Sequence, residues 1–345
     1  MTTEYLRDTP ADIERAAEIL RGGGLVGIPT ETVYGLAANA LNGAAVAGIF
    51  RAKGRPMDNP LIVHIAEIDD IQRFSLAREI PDAARELAKR FWPGPLTIIL
   101  RKGDAVPDEV SAGLDTVAIR LPAHPAARRI IREAGTPLAA PSANLSGSPS
   151  PTTAAHVMND LNGKIDAVLD GGACDVGVES TVITLATDIP TVLRPGGVTV
   201  EQLRGALGEV AVDSAVLHKL EEGRAAASPG MKYKHYAPKA NVVLLKCTDE
   251  EFIGYVSERG GRGVAALCCD EDVEALRGVK TVSLGKRGDY EAQAHNLFDS
   301  LRRVDGYGDV VTVYARLPHT DGVGMAVYNR LIRAAGFEVI DLENS

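Results

Sequence analysis

Short apolar runs alternate with amphipathic segments through the first two-thirds of the chain. Helical periodicity at 11–21, 44–52, 81–91 and 126–133 predicts four helices. Apolar runs predict strands at 25–29, 61–65, 96–100, 116–121 and 137–141, and further strands near 167–169, 181–185 and 191–193. The mixture is not a regular β-α-β repeat, so it predicts an α/β domain with a large twisted mixed sheet and flanking helices.

The alternation becomes regular from Asn241 onward. Apolar runs predict strands at 241–245, 263–269, 281–285 and 309–315, and helical periods fill 250–259, 290–304 and 325–335. This pattern predicts a smaller C-terminal Rossmann-like α/β domain. No G-x-G-x-x-G follows its first strand, so nothing local indicates dinucleotide binding.

The segment between these two regions differs from both. Residues 208–227 show little periodicity, and SPGMKYKHYAP follows at 228–238. A plain linker carries Ser and Gly rather than aromatic and basic residues, so this stretch is expected to contact something. We therefore divide the chain into a domain over 1–207, a linker over 208–240 and a domain over 241–345.

Composition narrows the class of protein. Of 345 residues, 45% are hydrophobic and 24% charged, which is typical of globular domains, and the net charge is −9. That charge argues against a broad nucleic-acid surface but allows a local basic pocket. The four cysteines form no C-x-x-C pair and are expected to be reduced; without a signal peptide or an apolar span, the expected location is the cytoplasm.

Familiar catalytic signatures are absent: the sequence has no P-loop, no H-E-x-x-H and no G-x-S-x-G. Polar loops placed after strands remain. In PTETVYGLA at 29–37, the hydroxyls of Thr30, Thr32 and Tyr34 could line a small-molecule site at a strand's carboxyl end. An ordinary turn with threonine capping explains the same residues.

A basic turn follows in RAKGRPMDNPLIVH at 51–64. Lys53 and Arg55 could hold a triphosphate and Asn59 could add a hydrogen bond, although most basic clusters are solvated helix ends. His64 lies within an apolar strand, where a histidine is more often a satisfied core residue than a catalyst. Arg120 also lies in an apolar strand, where either a structural ion pair or a substrate carboxylate would compensate its charge.

The last candidate residues lie in three later motifs. PSANLSGSPSPT at 141–152 reads as plain turn chemistry or as a phosphate and ribose cradle that uses Ser142, Asn144 and Ser150. GVESTVI at 177–183 places Ser180 at a strand start, and LRPGG at 193–197 places Arg194 at a strand end.

Taken in order, these motifs resemble one family. PTETVYGL, KGRPMDNPL, the PSAN–SG–PSPT loop, ESTV, LRPG and SPGMKYKHYAP are together similar to the Sua5/YrdC/YwlC family. The added C-terminal α/β unit resembles the long, Sua5-type form. The resemblance implies a YrdC-like twisted sheet with a basic cavity. It also implies the synthesis of threonylcarbamoyl-AMP from L-threonine, bicarbonate and ATP, for the t6A modification of tRNA at position 37. Mg²⁺ is expected to accompany ATP, with no metal ligands from the protein.

The resemblance also assigns residues, and it implies no protein nucleophile. The nucleotide side is expected to comprise Lys53, Arg55, Asn59, Thr116, Ser142, Asn144, Ser150, Arg194 and Tyr236. The threonine side is expected to comprise Thr32, His64, Arg120, Ala140 and Ser180. Tyr233 and His235 belong to the linker motif, which in the long form closes over the active site as a lid.

Two alternatives to a synthase stay open. A YrdC-like domain could be an RNA-binding module without catalysis, with at most weak contact to tRNA; the net charge counts against it. The domain also occurs within larger carbamoyl-phosphate-dependent maturation proteins, whose zinc-finger segments have no counterpart here. Expected partners are L-threonine, bicarbonate and a downstream threonylcarbamoyl transferase, and no membrane.

Overall fold

The computed structural model describes residues 2–219 and 235–343, which form two compact units. The first unit comprises the described residues of Met1–Ser146, Ser150–Asp175 and Glu179–Lys232. The second comprises Gly147–Pro149, Val176–Val178 and the described residues of Tyr233–Ser345.

Eleven strands of the first unit form one mixed sheet. They are β1 (Glu4–Arg7), β2 (Val26–Ile28), β3 (Gly35–Asn39), β4 (Ile62–His64), β5 (Leu96–Arg101), β6 (Thr116–Arg120), β7 (Leu138–Ala139), β8 (Ala167–Asp170), β9 (Thr181–Thr184), β10 (Thr191–Arg194) and β11 (Ala211–Val212). Their order is β1-β8-β2-β3-β7-β4-β6-β5-β9-β10-β11. The predicted α/β class with a large mixed sheet is confirmed.

Helices flank this sheet. They are α1 (Pro10–Arg21), α2 (Gly43–Lys53), α3 (Asp70–Arg73), α4 (Asp82–Phe91), α5 (Asp108–Ser111), α6 (Pro125–Ala134), α7 (Ala154–Leu161) and α8 (Val200–Leu207). α1 begins where the Thr9 side chain accepts a hydrogen bond from the Asp12 amide, with Pro10 at its first position. Its buried face, which includes Leu20, packs with α6 residues such as Ile130 in one hydrophobic cluster.

Three strands of this sheet are missing from the sequence prediction, namely β1, β3 and β11. Residues 29–37 were predicted as a polar loop, but Gly35–Asn39 form β3, antiparallel to β2. Because Gly35–Ala38 are buried throughout, the strand shows no alternation of polar and apolar residues. Within the predicted linker 208–240, Ala211–Val212 pair with β10 at the sheet edge, and a 3₁₀ turn spans Ser214–Val216.

The second unit is a five-stranded, all-parallel sheet with helices. Its elements are β12 (Asn241–Lys246), α9 (Asp249–Arg259), β13 (Val264–Cys268), β14 (Lys280–Ser283), α10 (Tyr290–Gly306), β15 (Thr312–Arg316), α11 (Gly324–Ala334) and β16 (Val339–Asp341). The strand order is β14-β13-β15-β12-β16. The predicted second α/β domain is present, with β16 added at its edge.

Two further features bear on the chain's class. Among the described residues, no helix combines the length and apolar character needed to cross a bilayer. All four cysteines are free thiols, and burial raises the pKa of Cys174 to about 12. A thiol with that pKa is protonated at neutral pH, so it is a poor nucleophile.

Candidate active site at the strand ends of the first unit

Backbone hydrogen bonds join two loops that lie far apart in sequence. The Tyr34 amide donates to the Pro151 carbonyl (2.8 Å), and the Ala143 amide donates to the Tyr34 carbonyl (2.8 Å). The polar residues around Thr32 and those around Ser142 therefore belong to neighbouring loops. Gly35 sits where they meet, and a Cβ there would lie 3.2 Å from the Ala140 Cβ.

Arg120 is buried and contacts Thr32, another residue predicted for the threonine side. Its Nη2 lies 2.7 Å from Glu31 Oε1, its Nη1 donates to Thr32 Oγ1 (2.9 Å) and its Nε donates to the Gly94 carbonyl (3.3 Å). Burial raises the pKa of Glu31, but the Arg120 charge and hydrogen bonds outweigh it, so the pKa lies below its usual value. The structure shows an ion pair between Arg120 and Glu31, and binding of a substrate carboxylate by Arg120 stays a prediction.

His64 lies directly beside Arg120 in the sheet. β4 and β6 are parallel, and their register pairs His64 with Arg120. Complete burial and the neighbouring Arg120 charge lower the pKa of His64 to about 3. Its Nδ1 lies 3.2 Å from the Ile62 carbonyl, and the ring is neutral at physiological pH. A neutral imidazole beside Arg120 can offer a hydrogen bond without adding charge.

The row of polar side chains continues across β5, β9 and β10. Thr97 pairs with Arg120 across β5 and β6. Its hydroxyl lies 2.7 Å from Ser180 Oγ, to which Arg194 Nη2 donates (3.1 Å). Arg194 Nε also donates to the Ser180 carbonyl (3.0 Å). The register pair of Arg120 with Thr97 and these hydrogen bonds connect the predicted residues Arg120, Ser180 and Arg194 in one polar row.

Lys53 anchors the nucleotide-side loop. At the end of α2 it is buried, and its Nζ donates to the carbonyls of Ser142 and Asn144 and lies 3.3 Å from Asn144 Oδ1. Ser142 Oγ in turn donates to Asn144 Oδ1. The predicted K-x-R and S-x-N motifs are thus brought together, with Lys53 fixing the backbone of the loop.

Arg55 and Asn59 lie at the basic turn. Arg55 is half-buried, its Nη2 donates to the Asn59 carbonyl (3.0 Å), and its guanidinium lies over the Phe50 ring at 5.6 Å. Asn59 is buried, and its Oδ1 makes no hydrogen bond within the described parts of the chain. Burying an amide oxygen without a hydrogen bond costs free energy. This oxygen can therefore accept a hydrogen bond from a bound ligand.

Ser150 and Gly196 define a tightly packed corner. Ser150 is buried and donates to the Glu179 carboxylate, next to Ser180. A Cβ on Gly196 would lie 2.4 Å from the Thr181 amide nitrogen and 2.5 Å from the Glu179 carbonyl oxygen. The LRPGG motif therefore needs glycine here because its backbone lies directly against the ESTV motif.

The remaining predicted residues in the described part of the chain are Thr116, Ala140, His235 and Tyr236. Thr116 begins β6, about 13 Å along the strand from Arg120. Ala140 is buried, and its amide donates to the Ile62 carbonyl (3.0 Å). Tyr236, in the second unit, is buried 5.2 Å from the Phe298 ring, with the His235 ring 5.6 Å away. Tyr233 lies outside the described residues, and all these roles stay predictions.

Sequence reasoning missed three residues of the site. Glu31 compensates Arg120, Thr97 extends the polar row, and Glu179 accepts from Ser150. Glu31 and Glu179 were within quoted motifs, T-E-T and E-S-T, where an acid beside hydroxyls was the available signal. Thr97 carried no such signal, because it lies among apolar residues of a strand, where a threonine is ordinary.

Together these features define an α/β protein with a buried, positively charged polar site at its strand ends. Lys53, Arg120 and Arg194 supply buried cations, and hydroxyl and amide groups surround them. Within the described ranges, no group of three or more His, Cys, Asp or Glu side chains could hold a metal ion. Such a site suits a carboxylate and phosphates.

Comparison with known proteins agrees with that class. The Sua5/YciO/YrdC family model, described as "Telomere recombination", matches residues 18–196, and the "Threonylcarbamoyl-AMP synthase, C-terminal domain" model matches 198–336. The chain belongs to the Sua5/YrdC/YwlC family, as its motifs indicated.

Relatives match over nearly the whole chain. Threonylcarbamoyl-AMP synthase of Bacillus subtilis is 47% identical, covering 98% of this chain and 97% of the relative. That of Pyrococcus abyssi is 46% identical, covering 95% of each. The solved structure of P. abyssi Sua5 complexed with L-threonine has a TM-score of 0.90 at 44% identity, covering 99% of this chain and 100% of that one. These names support the synthase interpretation over the RNA-binding alternative.

Proposed function

We propose that this chain is an L-threonylcarbamoyladenylate synthase, which converts L-threonine, bicarbonate and ATP into threonylcarbamoyl-AMP and pyrophosphate. The observation that carries the proposal is the buried Arg120, held between Glu31 and Thr32 at the end of the polar row. Relatives with the synthase name support the same reaction.

On the threonine side, Arg120 receives the substrate carboxylate. A guanidinium already aligned by Thr32 and the Gly94 carbonyl loses little freedom when the ligand binds. Thr32 and Ser180 orient the amine and hydroxyl of threonine, and Ala140 and the neutral His64 complete the wall. Because His64 adds no charge, it leaves the field of Arg120 intact.

On the nucleotide side, cations and amides receive the phosphates and ribose. This group comprises Lys53, Arg55, Asn59, Thr116, Ser142, Asn144, Ser150, Arg194 and Tyr236. Mg²⁺ enters with the triphosphate as part of the substrate and lowers its charge. The polar row from Arg120 to Arg194 supports a site in which the carboxylate side and the phosphate side are neighbours.

The chemistry requires no protein nucleophile. The threonine amine adds to the carbon of bicarbonate, or of CO₂ formed from it, and water leaves to give a carbamate. A carbamate oxygen then forms a bond to the α-phosphorus of ATP while the bond to the β-phosphate oxygen breaks, releasing pyrophosphate. Positioning and charge neutralisation supply the catalysis in such transfers.

The remaining expectations complete the proposal. The product is an activated acyl-adenylate, so a threonylcarbamoyl transferase acting on tRNA must consume it. We expect both steps in the cytoplasm. This chain itself is expected to make no more than weak contact with tRNA. Residues 208–240, with Tyr233 and His235, act as a lid over the active site and link the domains 1–207 and 241–345; residues 220–234 of this segment lie outside the described residues. Deleting 228–238 should reduce turnover strongly, and full activity of that variant would remove the lid from the proposal.

Arg55 provides a sharp test, with Arg51 as a matched control. Both arginines lie at the same end of α2, but Arg51 is exposed and Arg55 is half-buried. Arg55→Ala should abolish threonine-dependent pyrophosphate release, whereas Arg51→Ala should keep most of it. Circular dichroism of both variants should match the parent. Unchanged turnover in Arg55→Ala would exclude its role at the phosphates.

A further inference from the structure

A cavity of about 410 Å³ opens at the carboxyl ends of the parallel strands in the second unit. Its wall includes Cys247 after β12, Cys269 after β13, Leu284 after β14 and Leu317 after β15. In open parallel sheets ligands bind at this edge, where neighbouring strands send their connections in opposite directions. β12 and β15 are such neighbours, because one leads to β13 and the other to β16, on opposite sides.

Arg316 lines this cavity and belongs to a buried charge pair. Arg316 donates through Nη1 and Nη2 to both oxygens of Asp272, whose side chain is fully buried. The Arg316 guanidinium also lies 4.0 Å from the centre of the Phe252 ring. This pair is satisfied within the protein and fixes the end of β15.

Arg287 and Asp249, which also line the cavity, form a second and more exposed ion pair. Arg287 Nη2 is 2.7 Å from Asp272 Oδ1 and its Nη1 contacts Asp249, while Arg316 Nε is 3.1 Å from Asp249 Oδ1. The side chains of Arg287 and Asp249 are 43% and 40% exposed, unlike that of Asp272. Exposed ion pairs contribute little to stability. Since Arg316 also contacts both Asp272 and Asp249, a bound anion can replace the ion pairs of Arg287 without leaving either carboxylate uncompensated.

The cavity wall disfavours polyphosphate. Asp249 and Glu250 occupy the first turn of α9, and Glu250 is exposed. Carboxylates at a helix N-terminus repel a second anion there and attract a cation. Arg287 attracts the opposite sign across the same cavity, and Leu267 and Leu331 add apolar surface.

From this arrangement we infer that the second unit binds a small zwitterion, a free L-amino acid, at the carboxyl edge of its sheet. The ammonium group lies against Asp249 and Glu250, the carboxylate accepts from Arg287, and the side chain contacts the apolar wall. The site is separate from the proposed threonine site of the first unit and does not depend on the proposed reaction.

Methyl NMR on the full chain tests this directly. Leu267, Leu284 and Leu317 report on the cavity, so their signals distinguish binding there from binding in the first unit. Each standard L-amino acid, AMP and inorganic phosphate is titrated separately. We expect one or more amino acids to shift these methyl signals, with affinity weakened about tenfold or more by Arg287→Gln and also reduced by Glu250→Gln.

Arg277→Gln is the matched control, because Arg277 makes an exposed ion pair with Glu274 outside the cavity. It should bind like the parent. Silence of the cavity methyls with every amino acid would overturn the inference, even if pyrophosphate release is normal. If AMP or phosphate shifts these cavity methyl signals at lower concentration than any amino acid does, the inference is also overturned. Equal amino-acid affinity in Arg287→Gln and the parent would overturn it as well.

Discussion

Replacing His64 with glutamine should make the first unit less sensitive to acid. In the folded chain burial and Arg120 lower the pKa of His64 to about 3, against 6.5 for an ordinary histidine. Below pH 6.5 His64 binds a proton in the unfolded chain but stays neutral in the folded chain. The stability that the neutral His64 contributes is therefore complete above that pH and is lost as pH falls.

The size of the effect follows from these two pKa values. Integrating the difference in proton uptake from pH 7 to pH 5 gives a loss of about 2 kcal/mol from this one group. Over the same range Glu31 contributes little, because its depressed pKa acts below 4.5. His64→Gln removes the titrating ring, so its stability relative to the parent should improve by about 2 kcal/mol between pH 7 and pH 5.

The chain offers a selective probe for this measurement. Its single tryptophan, Trp92, lies in the first unit, where its Nε1 donates to the Leu96 carbonyl (2.7 Å). Urea unfolding followed by Trp92 fluorescence therefore reports on that unit. His218→Gln, at an exposed histidine, is the control and should track the parent. If parent and His64→Gln lose equal stability on acidification, the buried neutral state assigned to His64 is wrong.

Two further predictions concern packing and charge. Glu31→Gln and Arg120→Gln should each lower the free energy of unfolding by about 3–5 kcal/mol, because each leaves a buried charge uncompensated. The double variant should lose clearly less than the sum of the two single losses. Additive losses in Trp92-monitored unfolding would contradict the ion pair. Gly196→Ala should destabilise the protein by about 1–3 kcal/mol, because the added Cβ would lie against backbone atoms of Glu179 and Thr181. Gly205→Ala is the control in α8, where the added Cβ meets open space, so this variant should be neutral or stabilising. Equal effects of the two substitutions in thermal unfolding would refute the close backbone approach at Gly196.

Amphipathic and apolar periodicity predicted most of the fold, because helices such as α1 and strands such as β5 bury a regular face. β3 escaped prediction because Gly35–Ala38 are all buried, so no alternation of polar and apolar residues marks the strand. The sheet order could not be read from the sequence, since pairs such as Leu6 with Leu169 form across more than 160 residues.

The candidate site was predictable as a set of motifs but not as a network. Arg120 drew attention because a charge interrupts an apolar strand, yet its partner Glu31 lies 89 positions earlier and only folding joins them. Thr97 gave no signal, because a threonine within a strand is ordinary. Periodicity marks burial, whereas a polar contact between distant loops depends on register.

The most direct test of the central claim is pyrophosphate release by the purified full chain from ATP, L-threonine and bicarbonate without RNA, with the nucleotide product identified by mass spectrometry. We expect pyrophosphate and threonylcarbamoyl-AMP in equal amounts, both dependent on threonine and on bicarbonate. Pyrophosphate release that is independent of threonine, or no turnover together with tight binding of double-stranded RNA, would contradict it.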